Sequence, residues 1–157
     1  MEPDLEYFNK IKEETRVLFN SQREIFSPYF QQNVILNSDG FHHLQFSAER
    51  ERDKKEQFFK FRLVPLALKI IKKAGTIQEY RKGLTAVGPR YSRDGMIKMK
   101  NAEYFGLVAI ADEQKKILVK VILRRIGDGN IIFWSVMLGT KMQNGKQRIF
   151  KEGIEDL

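Results

Sequence analysis

The sequence contains no cysteine and only two histidines among its 157 residues. Without thiols the chain has no disulfide, no thiol nucleophile and no cysteine-based zinc or iron–sulfur site. It also has no Walker loop, no dinucleotide-binding glycine motif, no Gly-x-Ser-x-Gly elbow and no HExxH motif. These absences remove the usual sequence signatures of nucleotide-hydrolysing, dinucleotide-dependent and zinc-dependent enzymes.

Long apolar runs are also missing. No stretch approaches the roughly 20 residues needed to span a bilayer. The N-terminal segment MEPDLEYFNKIKEE is acidic and amphipathic, unlike a signal peptide. We therefore expect a soluble, cytoplasmic protein with no membrane partner.

The chain carries a net charge of +8, and the charge is unevenly distributed. Residues 1–50 hold five basic and eight acidic side chains, residues 51–100 hold fourteen and five, and residues 101–157 hold nine and seven. Neutralisation of phosphates supplies most of the non-specific affinity of proteins for nucleic acids. The basic middle third therefore indicates a polyanionic partner, although lysine-rich helices can also serve solubility alone.

Apolar periodicity predicts the elements of the first half. A helix over residues 4–26 ends at Ser27-Pro28, because the residue before proline resists helical geometry. A hairpin of two short strands follows within residues 34–46, around the turn signal Asn37-Ser38-Asp39-Gly40. A second helix covers residues 47–74, capped by Ser47 and kinked or split by Pro65, with Phe59, Leu63, Leu66 and Ile70 on its apolar face.

The second half predicts a sheet. Residues 76–100 are polar, basic and glycine-dotted, which favours a long loop that could include a short strand. Strands are expected over residues 104–111, 117–126 and 131–138. The order α–ββ–α–βββ predicts one α+β domain over residues 1–157, with an N-terminal helix in residues 1–30 and a core in residues 33–138. Its N-terminal helices would pack on one face of an antiparallel sheet.

His43 is the first candidate for chemistry. Adjacent strand residues point to opposite faces, so His42 and His43 cannot readily share a metal ion. Apolar neighbours favour burial of His42, which leaves His43 on the accessible side. His43 is a candidate catalytic residue or, alternatively, an incidental surface histidine.

Strand residues supply the other candidates. Lys120 and Arg124 lie four apart on one strand and therefore share a face. They form either a cationic site or a solvated face. Ser135 is the small hydroxyl in the last strand, where it is either functional or a small core residue.

Three stretches resemble a known group of nucleases. They are His43-Leu44 after a glycine-containing turn, Arg62-Leu63 in the basic helix, and Lys120-Val-Ile-Leu-Arg124-Arg-Ile-Gly-Asp-Gly129 leading to Phe133-Trp-Ser-Val136. Together they resemble the phage and mobile-element nucleases of the barnase/EndoU/colicin/RelE-like (BECR) superfamily. The resemblance covers roughly residues 33–138 and is strongest in the last hairpin.

The resemblance implies an α+β ribonuclease, toxin-like, that cuts RNA without a metal or cofactor. In such enzymes the 2′-hydroxyl attacks the adjacent phosphate and leaves a 2′,3′-cyclic phosphate. His43 would transfer protons, since imidazole titrates near pH ~6.5. Lys120 and Arg124 would stabilise the developing charge, and Ser135 would hydrogen-bond the phosphate. We expect these four side chains to converge on one site. No acidic residue matches the carboxylate base of barnase-type sites.

The same resemblance suggests contacts to RNA, either tRNA or mRNA. Arg62 is a candidate phosphate contact, and tyrosines interleaved with basic residues can stack bases beside backbone contacts. The candidate nucleic-acid-binding residues of the predicted loop are Tyr80, Arg81, Lys82, Arg90, Tyr91 and Arg93. An antitoxin or immunity protein is a further expected partner.

Two other functions fit the sequence. One is a non-catalytic RNA- or DNA-binding module with the same basic surface. The other is a protein-interaction or antitoxin-like domain whose basic block meets an acidic protein. Binding to RNA at low salt would distinguish the nucleic-acid-binding module from the protein-interaction domain. A loss of RNA cleavage when His43 is substituted would distinguish the nuclease from both.

Overall fold

The computed structural model describes residues 4–47, 49–87, 95–112, 114 and 117–138. Three helices and six strands lie within these ranges. The helices are α1 (Leu5–Ser21), α2 (Ser38–His43) and α3 (Lys54–Lys73). The strands are β1 (Glu24–Ser27), β2 (Gln32–Ile35), β3 (Glu79–Val87), β4 (Lys98–Asp112), β5 (Ile117–Ile126) and β6 (Ile132–Leu138).

The six strands form one sheet in the order β1-β2-β6-β5-β4-β3. Neighbouring strands are antiparallel except for β2 and β6, which are parallel and meet at Ile35 and Ile132. The protein is therefore an α+β protein, as its sequence predicts. None of the helices in the described part of the chain is long and apolar enough to cross a membrane.

The main core lies between the helices and one face of the sheet, which we call the helix face. Large side chains from α1, α3 and the central strands meet there, among them Phe8, Phe61, Phe105, Val121 and Phe133. The opposite face, here the second face, carries a smaller apolar cluster. Its members are Ile122 and Met137, with Tyr104 and Trp134 packed against them.

Helix α3 is capped by Asp53, whose carboxylate accepts a hydrogen bond from the backbone N–H of Glu56 at 2.8 Å. The predicted cap Ser47 lies outside the helix, and the predicted start at residue 47 is therefore wrong. Pro65 does not split α3, which continues through it with that residue exposed. The buried face is also rotated from the predicted one, because Phe59 is half exposed.

Other predicted boundaries require correction. Helix α1 ends at Ser21, so residues 24–27 form β1 instead of a last helical turn. The hairpin is β1–β2, and the Asn37–Gly40 segment begins helix α2 instead of turning between strands. Residues 79–87 form β3 within the predicted loop. Strand β5 has the predicted bounds and β6 begins one residue later than predicted, whereas β4 begins at Lys98, six residues before the predicted strand and inside the predicted loop.

Candidate functional site

A bulge in β6 places Trp134 on the second face. Ile122 of β5 pairs with Ser135, whereas the next residue, Leu123, pairs with Phe133, so Trp134 has no partner on β5. An extra residue of this kind re-aims the side chains beside it. Phe133 consequently points into the main core, while its neighbour Trp134 packs on the second-face cluster.

Helix α2 carries His43 to Trp134. The helix is capped by Asn37, whose side chain accepts from Gly40 N–H at 3.1 Å, and it is anchored by Phe41 packing on core rings. At its end the imidazole of His43 stacks on the indole of Trp134, with ring centroids 4.2 Å apart and an interplanar angle of 24°. The contact joins the helix to the bulge.

The predicted environment of the histidines is wrong in two respects. His43 lies on helix α2, and not on a strand. His43 is also buried, with 5% of its surface exposed, while His42 is the exposed histidine. The error follows from the missed helix, because a two-residue period does not describe which side of a helix is buried.

Three cationic side chains surround this stack. The guanidinium of Arg124 lies 4.1 Å from the Trp134 ring centroid. Lys60 of α3 reaches β6, where its Nζ donates to Ser135 Oγ at 3.2 Å and to Val136 O at 3.0 Å. Arg52 Nε donates to the backbone oxygen of His43 at 3.1 Å. We call His43, Arg52, Lys60, Arg124, Trp134 and Ser135 the Trp134 cluster.

The Trp134 cluster holds buried nitrogens without hydrogen-bond partners. Both ring nitrogens of His43, Nη2 of Arg52, Nε of Arg124 and Nε1 of Trp134 are in this state, and these five are the only such side-chain atoms among the residues the structure describes. Buried polar groups are normally paired, so such atoms call for an explanation. In a neutral imidazole one ring nitrogen donates and the other accepts, so four of these five nitrogens are hydrogen-bond donors. A set of unpaired donors suits an anionic ligand.

The same surroundings keep His43 neutral. Burial is the largest cause that lowers the pKa of His43, and the positive charges of Arg52, Lys60 and Arg124 lower it further, to about 3. The backbone of Trp134 opposes part of the shift, although neither ring nitrogen reaches hydrogen-bond geometry. The imidazole is therefore uncharged near neutral pH, because its burial and the three nearby cations both resist its protonation.

Lys120 lies away from the other predicted catalytic residues. It is buried, and its Nζ pairs with both carboxylate oxygens of Glu79 at 3.0 Å. It is four positions from Arg124 along β5, roughly 13 Å of chain. The two share the second face, as predicted, because residues at even positions of β5 alternate with core residues. The structure thus brings His43, Arg124 and Ser135 together around Trp134 and pairs Lys120 elsewhere.

The predicted nucleic-acid contacts are spread over two elements. Arg62 is exposed on α3, with its guanidinium 5.7 Å from the Phe58 ring centroid. Tyr80, Arg81 and Lys82 are exposed on β3, and the Tyr80 hydroxyl donates to Glu103 at 2.7 Å. The remaining three, Arg90, Tyr91 and Arg93, lie outside the described residues.

Arg52, Lys60 and Trp134 belong to the candidate site but were not predicted from the sequence. Lys60 had a usable signal, since it falls in register with Gln57, Phe61 and Val64 on the buried stripe of α3. A lysine within an apolar stripe is rarely buried without a polar partner. No sequence signal marked Trp134, because the alternation of apolar and polar residues along a strand does not show where a bulge occurs.

No protein-family model matches the chain, and neither does any curated protein or solved structure.

Proposed function

We propose that the protein is a toxin-like endoribonuclease that cuts RNA without a metal ion at the Trp134 cluster. The observation that carries the proposal is the set of five unpartnered buried nitrogens in this cluster. A phosphodiester supplies acceptor oxygens for the donors among them, and its charge offsets that of Arg52, Lys60 and Arg124. The resemblance to BECR nucleases supports the same activity.

In the proposed reaction, the 2′-oxygen forms a bond to phosphorus and the bond from phosphorus to the 5′-oxygen breaks. The 2′-hydroxyl gives its proton to His43, and the departing 5′-oxygen takes a proton from water. The products are a 2′,3′-cyclic phosphate and a 5′-hydroxyl. Negative charge grows on the non-bridging oxygens, where fixed cations can contribute the largest single stabilisation. Arg124 and Lys60 take this role, and Ser135, whose Oγ accepts a hydrogen bond from Lys60 Nζ, would donate its hydroxyl proton to a phosphate oxygen.

His43 is the proposed proton acceptor. A histidine whose pKa is about 3 holds protons weakly in the free protein. A phosphate between the three cations cancels part of their repulsion of the imidazolium, so substrate binding raises the pKa of His43 toward its ordinary value. Burial persists in the complex and keeps this pKa below that of an exposed histidine. Proton transfer is thereby coupled to the presence of the phosphate.

Lys120 has a structural role in this proposal. Its ion pair with Glu79 holds β5 against β3 across Gly106 of β4, where a Cβ would meet the Glu79 side chain at 3.0 Å. The proposed substrate is cellular RNA of the cytoplasm, either tRNA or mRNA. An antitoxin or immunity protein that covers the Trp134 cluster is the proposed protein partner.

The test uses labelled cellular RNA incubated with the protein in EDTA, and the ends of the fragments are identified. We expect cyclic phosphate and 5′-hydroxyl ends. His43→Asn should lower the rate by about 100-fold or more, while His42→Asn, the same change one residue earlier on the exposed side of α2, should leave it unchanged. Arg124→Lys should also lose about 100-fold, and Arg125→Lys should not. Intact RNA in EDTA with cleavage restored by magnesium would overturn the mechanism.

A non-catalytic RNA-binding module is the second candidate. The low pKa of His43 and the complete burial of Ser135 favour it, since neither group exchanges protons readily in the free protein. This function predicts RNA binding that is sensitive to salt, no fragments under any condition, and equal binding by wild type and His43→Asn.

A further inference from the structure

Strands β3 and β4 extend past the rest of the sheet as a two-stranded ribbon. The last residue of β4 that pairs with β5 on this side is Ala102, opposite Ile126. Beyond it, residues 84–87 of β3 pair with residues 98–101 of β4, and the only other backbone hydrogen bond to these residues in the described chain is from Gly127 N–H to Asn101 O at 2.7 Å. Described residues of this ribbon are mostly exposed, including Leu84 at 68% and Met99 at 49%. The ribbon therefore projects into solvent.

Two contacts fix which residues of the ribbon lie on the second face. Glu79 pairs with Lys120, and Thr85 Oγ1 lies 3.4 Å from Arg124 Nη2. Odd-numbered residues of β3 therefore face the same side as Arg124, because strand residues alternate. Their partners on β4 share that side, so Lys100, opposite Thr85, and Lys98 are on the second face as well.

The second face of the ribbon is basic. Lys98 and Lys100 are exposed there, Arg81 is exposed on the same face of β3 just before the ribbon begins, and no acidic residue occurs in residues 80–87 or 95–102. Arg81 lies in one cross-strand row with Tyr104 and Arg124, two strands or about 10 Å from the latter. Lys100 lies on β4 about 13 Å further along than this row, past the row of Gly83, and Lys98 lies about 7 Å beyond Lys100. These cations form a line that begins at Arg124 of the Trp134 cluster.

Gly83 leaves room in this line. A Cβ at Gly83 would have no atom within 4 Å. Gly83 lies between Arg81 and Thr85 on the second face, so this stretch between Arg81 and Lys100 is open space. A polymer that lies along the line meets no obstruction there.

We propose that this line, Arg81, Lys100 and Lys98, binds single-stranded RNA on one side of the scissile phosphate. The inference rests on the proposed function and specifies its substrate class. Attack by the 2′-oxygen needs that oxygen, phosphorus and the 5′-oxygen in line, which the regular A-form backbone does not provide. Unpaired RNA can adopt this arrangement and can follow a positively charged strand surface with its backbone. The ribbon thus supplies affinity, and the Trp134 cluster supplies the reaction.

The test measures binding of an oligouridylate of about 12 nucleotides, which carries 2′-O-methyl groups and therefore cannot be cut. The triple variant Arg81→Gln, Lys98→Gln, Lys100→Gln is compared with a control of equal charge loss on α3, Lys69→Gln, Lys72→Gln, Lys73→Gln. All six side chains are exposed. Three lost phosphate contacts should lower the slope of log affinity against log salt by about 2. Between 50 and 200 mM salt, wild-type affinity should then fall about 16-fold more than that of the ribbon variant.

A third variant, Gly83→Glu, adds a carboxylate where there is space for it, and it should weaken binding by about tenfold or more at low salt. Gly75→Glu, also in open space but just after the end of α3 and outside β3 and β4, should weaken binding less.

Three results would overturn the inference: equal losses in the ribbon and α3 variants, no binding by wild type, or equally tight, ribbon-dependent binding of an RNA duplex. Binding that depends on the ribbon without any cleavage by wild type would leave the inference standing and reject the nuclease. Cleavage by the ribbon variant with wild-type affinity would reject the inference and leave the nuclease standing.

Discussion

The imidazole of His43 stacks on the indole of Trp134 with ring centroids 4.2 Å apart, although the two residues are 91 positions apart in the chain. One residue ends a short helix, and the other is the extra residue of a β-bulge. Their contact brings a neutral imidazole among three cations. Both the stability of the fold and the proposed chemistry depend on that arrangement.

Acidification should destabilise the protein through His43. The folded-state pKa, about 3, lies below that of the unfolded chain, near 6.5, so between these values the unfolded state binds one proton more. Stability is then fully present above about pH 6.5 and falls by up to about 1.4 kcal/mol per pH unit as the pH drops toward 3. Urea unfolding at several values between about pH 7 and pH 5 measures this slope, in a range above the titration of ordinary carboxylates.

The variant His43→Asn removes the titrating ring and should flatten the slope over that range. His42→Asn should retain it, since His42 is exposed on the other side of α2. Equal slopes for the two variants would show that the acid sensitivity arises elsewhere.

Much of the fold follows from local pattern. Strand β5 appears in the sequence as a run of alternating apolar residues with turn signals on both sides, and its bounds were predicted correctly. The N-terminal helix and the α+β fold class were also predicted from the sequence. The errors in the predicted elements occur where the same residues are typical of two different local structures. Asn37-Ser38-Asp39-Gly40 has the residues of a turn, but the same Asn side chain caps a helix.

The candidate site is harder to predict because it is assembled by tertiary contacts. Arg124 and Ser135 were found from strand alternation and resemblance, since each lies on a well-predicted strand. Lys60 is 75 residues from Ser135 in sequence, and only the packing of α3 on the sheet brings them together. The register shift that exposes Trp134 to His43 is likewise a property of two paired strands, and neither strand encodes it alone.

Anion binding should be visible in fluorescence, because Trp134 is the only tryptophan. Phosphate held by Arg124 changes the charge beside the indole, so titration with inorganic phosphate should alter emission and reach saturation. Arg124→Gln should weaken this binding by about tenfold or more, since hydrogen bonds to charged groups contribute about 1.5–3 kcal/mol. The control Arg125→Gln lies on the neighbouring position but pairs with Glu103. An unchanged spectrum, or the same effect in both variants, would contradict an anion site at Trp134.

Removal of the Glu79 charge should destabilise the sheet. Glu79→Gln takes the carboxylate from a lysine whose side chain is only 1% exposed, while Glu79 itself is 37% exposed and screened by water. We expect a loss of about 1–3 kcal/mol, less than for a fully buried pair. Thermal unfolding measures it. Glu13→Gln, in an exposed pair with Arg16 on α1, should not change the melting temperature measurably.

Lys120→Met tests whether Lys120 is structural or catalytic. A structural role predicts that the cleavage rate falls by less than about tenfold. A catalytic role predicts that cleavage is abolished in a protein that still folds.

Gly40→Ala tests whether the position of α2 matters to the site, and two effects of opposite sign compete in it. Alanine is the better helix former by about 1 kcal/mol, which favours the variant. A Cβ at Gly40, however, would overlap the backbone oxygen of Phe133, a rigid neighbour that cannot rotate away. Overpacking typically costs about 1–3 kcal/mol, so we expect net destabilisation in urea, a shift of His43 away from Trp134 and altered Trp134 emission. Gly75→Ala, with no atom within 4 Å, should show none of these changes. A Gly40→Ala protein that is more stable than wild type, with native emission, would mean that α2 can move without disturbing the Trp134 cluster.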